Sequence, residues 1–175
     1  AVTERLDIDF FNVYAREAIY WTRLQLSTAE IELLAALPLT ETVGEITLVH
    51  SSPQSPERFD YIQTLSDAEA AFSRVSTRVC FVGHSHVPIS FLKGTAIGVT
   101  QAKEVRLEGV EAAIVNVGSV GQPRDGDPRA SYVVYDTDRQ LIQFRRVEYD
   151  VERAAEKILG AGLPPILGER LRVGM

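Results

Sequence analysis

The chain contains three histidines, and their placement is the first feature in it that could do chemistry. His50 closes the apolar run Ile46-Thr47-Leu48-Val49, and His84 and His86 follow Val79-Cys80-Phe81-Val82-Gly83. In His-x-His on an extended segment both side chains project to one face, so the two imidazoles can enter one site or straddle two adjacent ions. Imidazole nitrogens suit borderline divalent ions such as zinc, manganese, iron, cobalt or nickel. A single histidine is more often an ordinary hydrogen-bonded group; three that each follow an apolar run form a pattern.

The elements that must hold these residues are legible in outline. Asn12 is placed to cap a helix running to Leu26, and Ser27 with Glu30 forms a capping box for a second helix that Leu37-Pro38 ends. Thr42-Val43 and Ile46 to Val49 flank Gly44-Glu45 as two short strands joined by a tight turn. Ser51 to Tyr61 has the chemistry of a loop, and Ser66 with Glu69 reads as a capping box for a third helix. Val79 to Val82 suits a strand buried on both faces, with the histidine pair at its carboxy end, where layered α/β folds bind ligands. Further strands are expected at Ile89 to Leu92, Glu104 to Leu107, Ala113 to Val117, Tyr132 to Tyr135 and Leu141 to Val147. Asp150 is expected to cap a last helix through Leu159, and Gly160 to Pro165 to be loop, with the residues after it packing back on the body.

With 175 residues, 45% apolar and 24% charged, the chain has the balance of a globular protein with one core. It is long enough to fold without a structural metal, so a metal here would be functional. The formal charge of −6, with no Lys/Arg cluster, argues against non-specific nucleic-acid binding. No apolar stretch reaches the roughly 20 residues needed to cross a bilayer and no signal peptide is evident, so a cytoplasmic location without membrane contact is expected. Cys80, the one cysteine, sits in an apolar run and reads as a small buried hydrophobe.

Val79 to His86 and Leu48-Val49-His50-Ser51-Ser52-Pro53 resemble the two later motifs of the calcineurin-like phosphoesterase family, Gly-His-x-His and a strand-terminal histidine before Gly or Ser. Asn116-Val117-Gly118-Ser119 is similar to a third element of that family, Asn-x-Gly-Ser. Order and spacing agree from Leu48 to Asp136, and the likeness extends toward Arg5-Leu6-Asp7 and Phe11-Asn12. The resemblance implies an α/β fold, a four-layer α-β-β-α sandwich of which residues 1–175, a single domain, supply mainly the second sheet with its helices. It implies metal-dependent hydrolysis of phosphate mono- or diesters by a hydroxide bridging two divalent transition-metal ions, His50 and His84 binding one ion and His86 the other. The substrate would be a phosphate-ester small molecule, a nucleotide or a phosphoprotein.

Two further residues are candidates for phosphate contact. Ser119, with the amides of Gly118 to Gly121, could form an anion nest or a plain tight turn. Arg124 could pair with phosphate or belong, with Arg129, to an exposed, oppositely charged hairpin tip around Asp125-Gly126-Asp127-Pro128. The chain departs from the family at Ser51, where many members carry glycine. It departs further in that the early motifs Asp-x-His, Gly-Asp and Gly-Asn-His are not found ahead of His50, and these supply the remaining ligands and a catalytic histidine. The expectation is therefore a carboxy-terminal portion with little activity by itself. A non-catalytic binding or regulatory module on the same fold is the alternative, and a mononuclear three-histidine zinc site a third reading. Gly83-His84-Ser85-His86-Val87 nearly matches a nucleophile elbow, but Val87 replaces the last glycine and no histidine follows His86 to complete a triad.

Overall fold

A computed structural model describes residues 1–3, 6–9 and 11–175. Arg5, within the likeness noted near the amino end, lies outside the described residues. The described residues gather into two compact units, residues 1–38 with 150–173, and residues 39–149 with 174–175.

The second unit carries both sheets. Helix-free at its start, it opens on β1 (Thr40–Val43) and β2 (Ile46–Val49), an antiparallel hairpin with Val43 paired to Ile46 across the Gly44-Glu45 turn. Gly44 takes φ +57°, which a residue without Cβ adopts at no steric cost. After a 3₁₀ turn at Pro56–Arg58 comes α3 (Leu65–Phe72), then β3 (Val79–Val82), β4 (Ile89–Lys93), β5 (Ile97–Thr100), β6 (Glu104–Arg106), β7 (Ala112–Asn116), β8 (Ala130–Asp136) and β9 (Leu141–Val147). One sheet has the order β1-β2-β3-β7-β4-β5 and the other β6-β9-β8. In the larger sheet β2, β3 and β7 run parallel, while β1, β4 and β5 pair antiparallel to their neighbours.

The strand period of two divides the core. On one face Cys80 and Val82 of β3, Ile114 of β7 and Phe91 of β4 meet Ala68, Ala71 and Phe72 of α3. On the other, Val79, Ala113 and Val115 pack against Val105 and Ile142 of the smaller sheet and against Leu107, just past β6. The result is helix, sheet and sheet in layers, a mixed α/β fold as expected. Each large apolar side chain buried at these two seams contributes about 1.5–3 kcal/mol relative to exposure.

The third helix starts differently from the expectation. Its N-cap is Thr64, whose hydroxyl accepts the Asp67 amide while the Asp67 carboxylate accepts the Gln63 and Thr64 amides. Ser66 and Glu69 lie inside or beside the first turn instead, because Thr64 with Asp67 offers the same box two residues earlier and lets Ala68, Ala71 and Phe72 face the sheet together.

The first unit contains α1 (Val13–Gln25), α2 (Thr28–Ala36), α4 (Val151–Gly160) and α5 (Pro165–Val173). The Asn12 cap and the Ser27/Glu30 box form as read from the sequence. The stretch after Pro164 is a helix, with Pro165 at its first position where a missing N–H is harmless. Helix α5 lies close on α4 through Gly168, where an added Cβ would stand 3.2 Å from the Ala155 carbonyl oxygen. Among the described residues no helix is long and apolar enough to cross a membrane.

Candidate metal centre

Three adjacent parallel strands deliver the chemistry to one edge. The register sets Leu48 beside Phe81 and Val82 beside Asn116, so the carboxy ends of β2, β3 and β7 present His50, Gly83 to His86, and Asn116 together. The Gly83 amide donates to the His50 carbonyl at 2.9 Å, and the Val117 amide donates to the Val82 carbonyl at 2.9 Å, extending the ladders past the strand ends.

The histidine pair is not extended, contrary to the same-face argument for His-x-His. His84 and His86 both take φ +63°, the left-handed region that residues with a Cβ enter at a cost. Among the described residues four non-glycine positions have positive φ, and Phe59 (φ 55°) joins these two at the site, leaving only Gln140 elsewhere. Such strain persists where the surroundings over-determine it. Here Asn116, almost fully buried, supplies the surroundings. Its Nδ2 donates to the Gly83 carbonyl and, at 2.8 Å, to the Ser85 hydroxyl, and its Oδ1 accepts the Gly118 amide at 3.0 Å.

His50 Nε2 stands 3.2 Å from His84 Nδ1. Two imidazole nitrogens on one tetrahedral ion, each about 2.0–2.1 Å from it, stand roughly 3.3 Å apart, so the pair already has the bite of a single ion. The Tyr61 ring stacks on His84 with centroids 4.4 Å apart and planes 17° apart, and Phe59 lies 6.0 Å from both rings. The Phe59 carbonyl acts on the His84 ring in favour of its protonated form. His86 Nδ1 lies 2.7 Å from the Gln122 carbonyl, which can only accept, so Nδ1 carries the proton and Nε2 is free to ligate.

The electrostatics suit neutral rings. Desolvation lowers the pKa of His50, although its ring keeps an exposed edge, and is the largest cause for His84 and His86 too. The other histidines and Arg124 push His84 down further, against the Phe59 carbonyl; for His86 the Gln122 carbonyl opposes Arg124 and His50. A histidine must be neutral to bind metal, and these shifts favour that form.

The donor set therefore fits a divalent ion on His50 and His84, with His86 Nε2 offering a donor for another. Among the described residues no three His, Cys, Asp or Glu side chains gather as a ligand set for one ion. Among the described residues, therefore, the three histidines do not gather on one ion and no carboxylate joins the rings.

The remaining sequence candidates separate. Arg124 reaches the electrostatic field of His84 and His86, and its Nε and one terminal nitrogen donate to Gln122 Oε1 at 3.2 and 2.9 Å. Arg129 is committed to Asp127 through two bonds of 2.9 and 2.7 Å, and hydrogen bonding from Arg129 brings the Asp127 pKa down to about 2. Arg146, which sequence reasoning missed, pairs with Asp125. Ser119 Oγ accepts the Gly121 and Gln122 amides at 3.2 and 2.9 Å. Ser85, the near-elbow serine, is buried and accepts from Asn116 and the Val87 amide, which makes it a loop anchor. Phe59 and Tyr61 were also missed; the aromatic pair in a Pro-bounded loop just after His50 was the available signal.

A layered α/β fold with two histidine segments at the ends of adjacent parallel strands is the frame of a metallophosphoesterase. Residues 19–140 match the family model for the calcineurin-like phosphoesterase superfamily domain, and the chain belongs to that family. It is 35% identical over 171 residues to an uncharacterized protein of Methanocaldococcus jannaschii, covering 95% of this chain and 69% of that one. A crystal structure of a metallophosphoesterase from Sphaerobacter thermophilus superimposes with TM-score 0.85 at 38% identity, over 100% of this chain and 73% of that one. The structure of a hypothetical protein from Pyrococcus horikoshii shares the fold, with TM-score 0.74 at 21% identity over 99% of this chain and 64% of that one.

Proposed function

We propose that this chain serves metal-dependent hydrolysis of phosphate esters, with His50 and His84 holding one divalent transition-metal ion and His86 contributing to a second. The observation that carries the reading is the 3.2 Å approach of His50 Nε2 to His84 Nδ1, a ligand bite prepared in advance by strained backbone. Divalent ions bound there would polarise a phosphoryl oxygen and neutralise charge that develops in the transition state. The protein's own part is to keep the rings neutral, to hold them in fixed rotation, and to offer a cation. The Tyr61 ring stacked on His84, with Phe59 beside it, restrains that imidazole. Arg124, steadied by Gln122, has donors left for a phosphate oxygen, in keeping with a small phosphate ester, a nucleotide or a phosphoprotein as substrate.

Among the described residues no carboxylate joins the three imidazoles to screen two nearby cations from each other, so the 175-residue chain alone should hold one ion weakly and turn over little substrate. Calorimetric titration with manganese or zinc tests this: one weak site is expected in the wild type and none in His84→Ala. An aryl phosphate assay with manganese should show little turnover for the chain alone. Two tight sites on this chain, or zinc binding unchanged by His84→Ala, would refute the assignment.

A further inference from the structure

We infer that Ser119 is a positioning residue for His86, acting through the Gln122 carbonyl to hold the imidazole in the single tautomer that can ligate from Nε2. The inference rests on the reading of His86 as a ligand and assigns Ser119 a different task from the phosphate contact that its place in the sequence suggests.

The argument follows the bonds outward from the ring. A free histidine side chain in its neutral form favours the proton on Nε2. His86 is held the other way, because the atom facing Nδ1 at 2.7 Å is a carbonyl oxygen, which has no proton to give. That carbonyl belongs to Gln122, and its direction depends on how the chain turns between Ser119 and Arg124. The Ser119 hydroxyl oxygen accepts the amides of Gly121 and Gln122 together, which curls residues 119–122 around a single side-chain atom. The Arg124 amide then donates to the His86 carbonyl at 3.2 Å, so backbone and ring of His86 are both tied to the same short segment. The Ser119 carbonyl in turn accepts the Ser131 amide at 2.9 Å, which anchors the turn to the start of β8.

With both amides on its oxygen, Ser119 has only its hydroxyl proton left for a ligand. Its two accepted bonds are what the fold uses, and they lead to the ring of His86 through one peptide unit. Outer partners of this kind fix the tautomer and orientation of metal-binding histidines.

The test reads the ring directly, without substrate or metal. In the wild-type 175-residue chain, labelled with ¹⁵N and kept in chelator at about pH 8, where neutral imidazole dominates, long-range proton–nitrogen correlation should show His86 protonated on Nδ1. Ser119→Ala should lose that single-tautomer signature and move toward the Nε2–H form, while Ser119→Thr, which keeps the hydroxyl, should retain it. His50 and His84 signals that stay unchanged in Ser119→Ala would show that the effect is local and not a general loosening. Wild-type His86 protonated on Nε2, or Ser119→Ala with the wild-type tautomer, would overturn the inference.

Should Ser119→Ala fail to fold, amide exchange in the wild type decides. The Gly121 and Gln122 amides must be protected, and exchange at the rate of an open loop overturns the proposal. Adding zinc to the wild type separates the two readings. If the nitrogens of His50 and His84 do not respond, the metal assignment fails while the tautomer and exchange results still judge Ser119.

Discussion

At the scale of single residues, the site is made of groups whose ordinary behaviour is altered by what surrounds them. All three histidines have folded pKa values below the usual value of about 6.5, chiefly from desolvation. An unfolded chain therefore binds more protons than the folded one as the pH drops below that value. The neutral rings contribute fully above about pH 6.5 and lose their contribution as the pH falls through the lower folded values. Urea unfolding of the wild type should accordingly show stability falling as the pH drops from about 6.5 toward the carboxylate range, and a variant with all three histidines changed to glutamine should show a flatter profile there. Stability rising on acidification over that window would sink the account. Cys80 makes a second case. Burial in the core pushes its thiol up to about 12, so it should resist a disulfide reagent in the native protein and react only on unfolding. Fast native labelling would show the seam between α3 and the sheet to be open. His50, His84 and His86 were legible as a group because nothing else in the chain pairs histidine with strand ends; the strained backbone that aims two of them was not, since it depends on Asn116, about thirty residues away in sequence.

Among elements, the loop after β7 does the most with the least chain. Gly118 has φ +79°, and an added Cβ would stand 2.7 Å from Ser131 Oγ and 2.8 Å from the Pro88 ring. Gly118→Ala therefore meets both a forbidden backbone region and a clash, and it should cost about 1–3 kcal/mol in chemical denaturation. It should also disturb the His84 and His86 resonances, because Gly118 donates to the Asn116 carboxamide that braces them. An alanine variant with wild-type stability would mean that the loop is looser than drawn. The helix caps Asn12 and Ser27, the β1–β2 hairpin and most strands were readable from local chemistry, since capping residues, paired apolar runs and a turn glycine act over a few positions. Strand β5 was not, because Gly98 interrupts a short, half-exposed run whose pairing is supplied by β4. Helix α5 was missed for a similar reason: Gly162 and two prolines read as punctuation, and the small residue that admits it against α4, Gly168, looks unhelical in isolation.

On the scale of the whole molecule, the proposed hydrolysis would bring an anionic ester to a chain with a net charge of −6, and bound cations would offset that charge. A ligand that binds only the folded form stabilises it by mass action, about 2.7 kcal/mol at a hundredfold excess over its dissociation constant. Zinc should thus raise the thermal midpoint of the wild-type chain and leave that of His84→Ala unmoved; equal shifts in both would place the ion elsewhere. The order of the two sheets could not be read from sequence, because β7 inserts between β3 and β4 through pairings that join distant segments. The left-handed conformations of His84 and His86 carry one more implication, for inheritance. Glycine or asparagine would occupy either position with less strain, so stability and the proposed ligation would make opposite demands on the same codons. Selection for a sturdier fold alone would drift toward those replacements and leave an unremarkable turn. A lineage that stopped using the site would lose these histidines first.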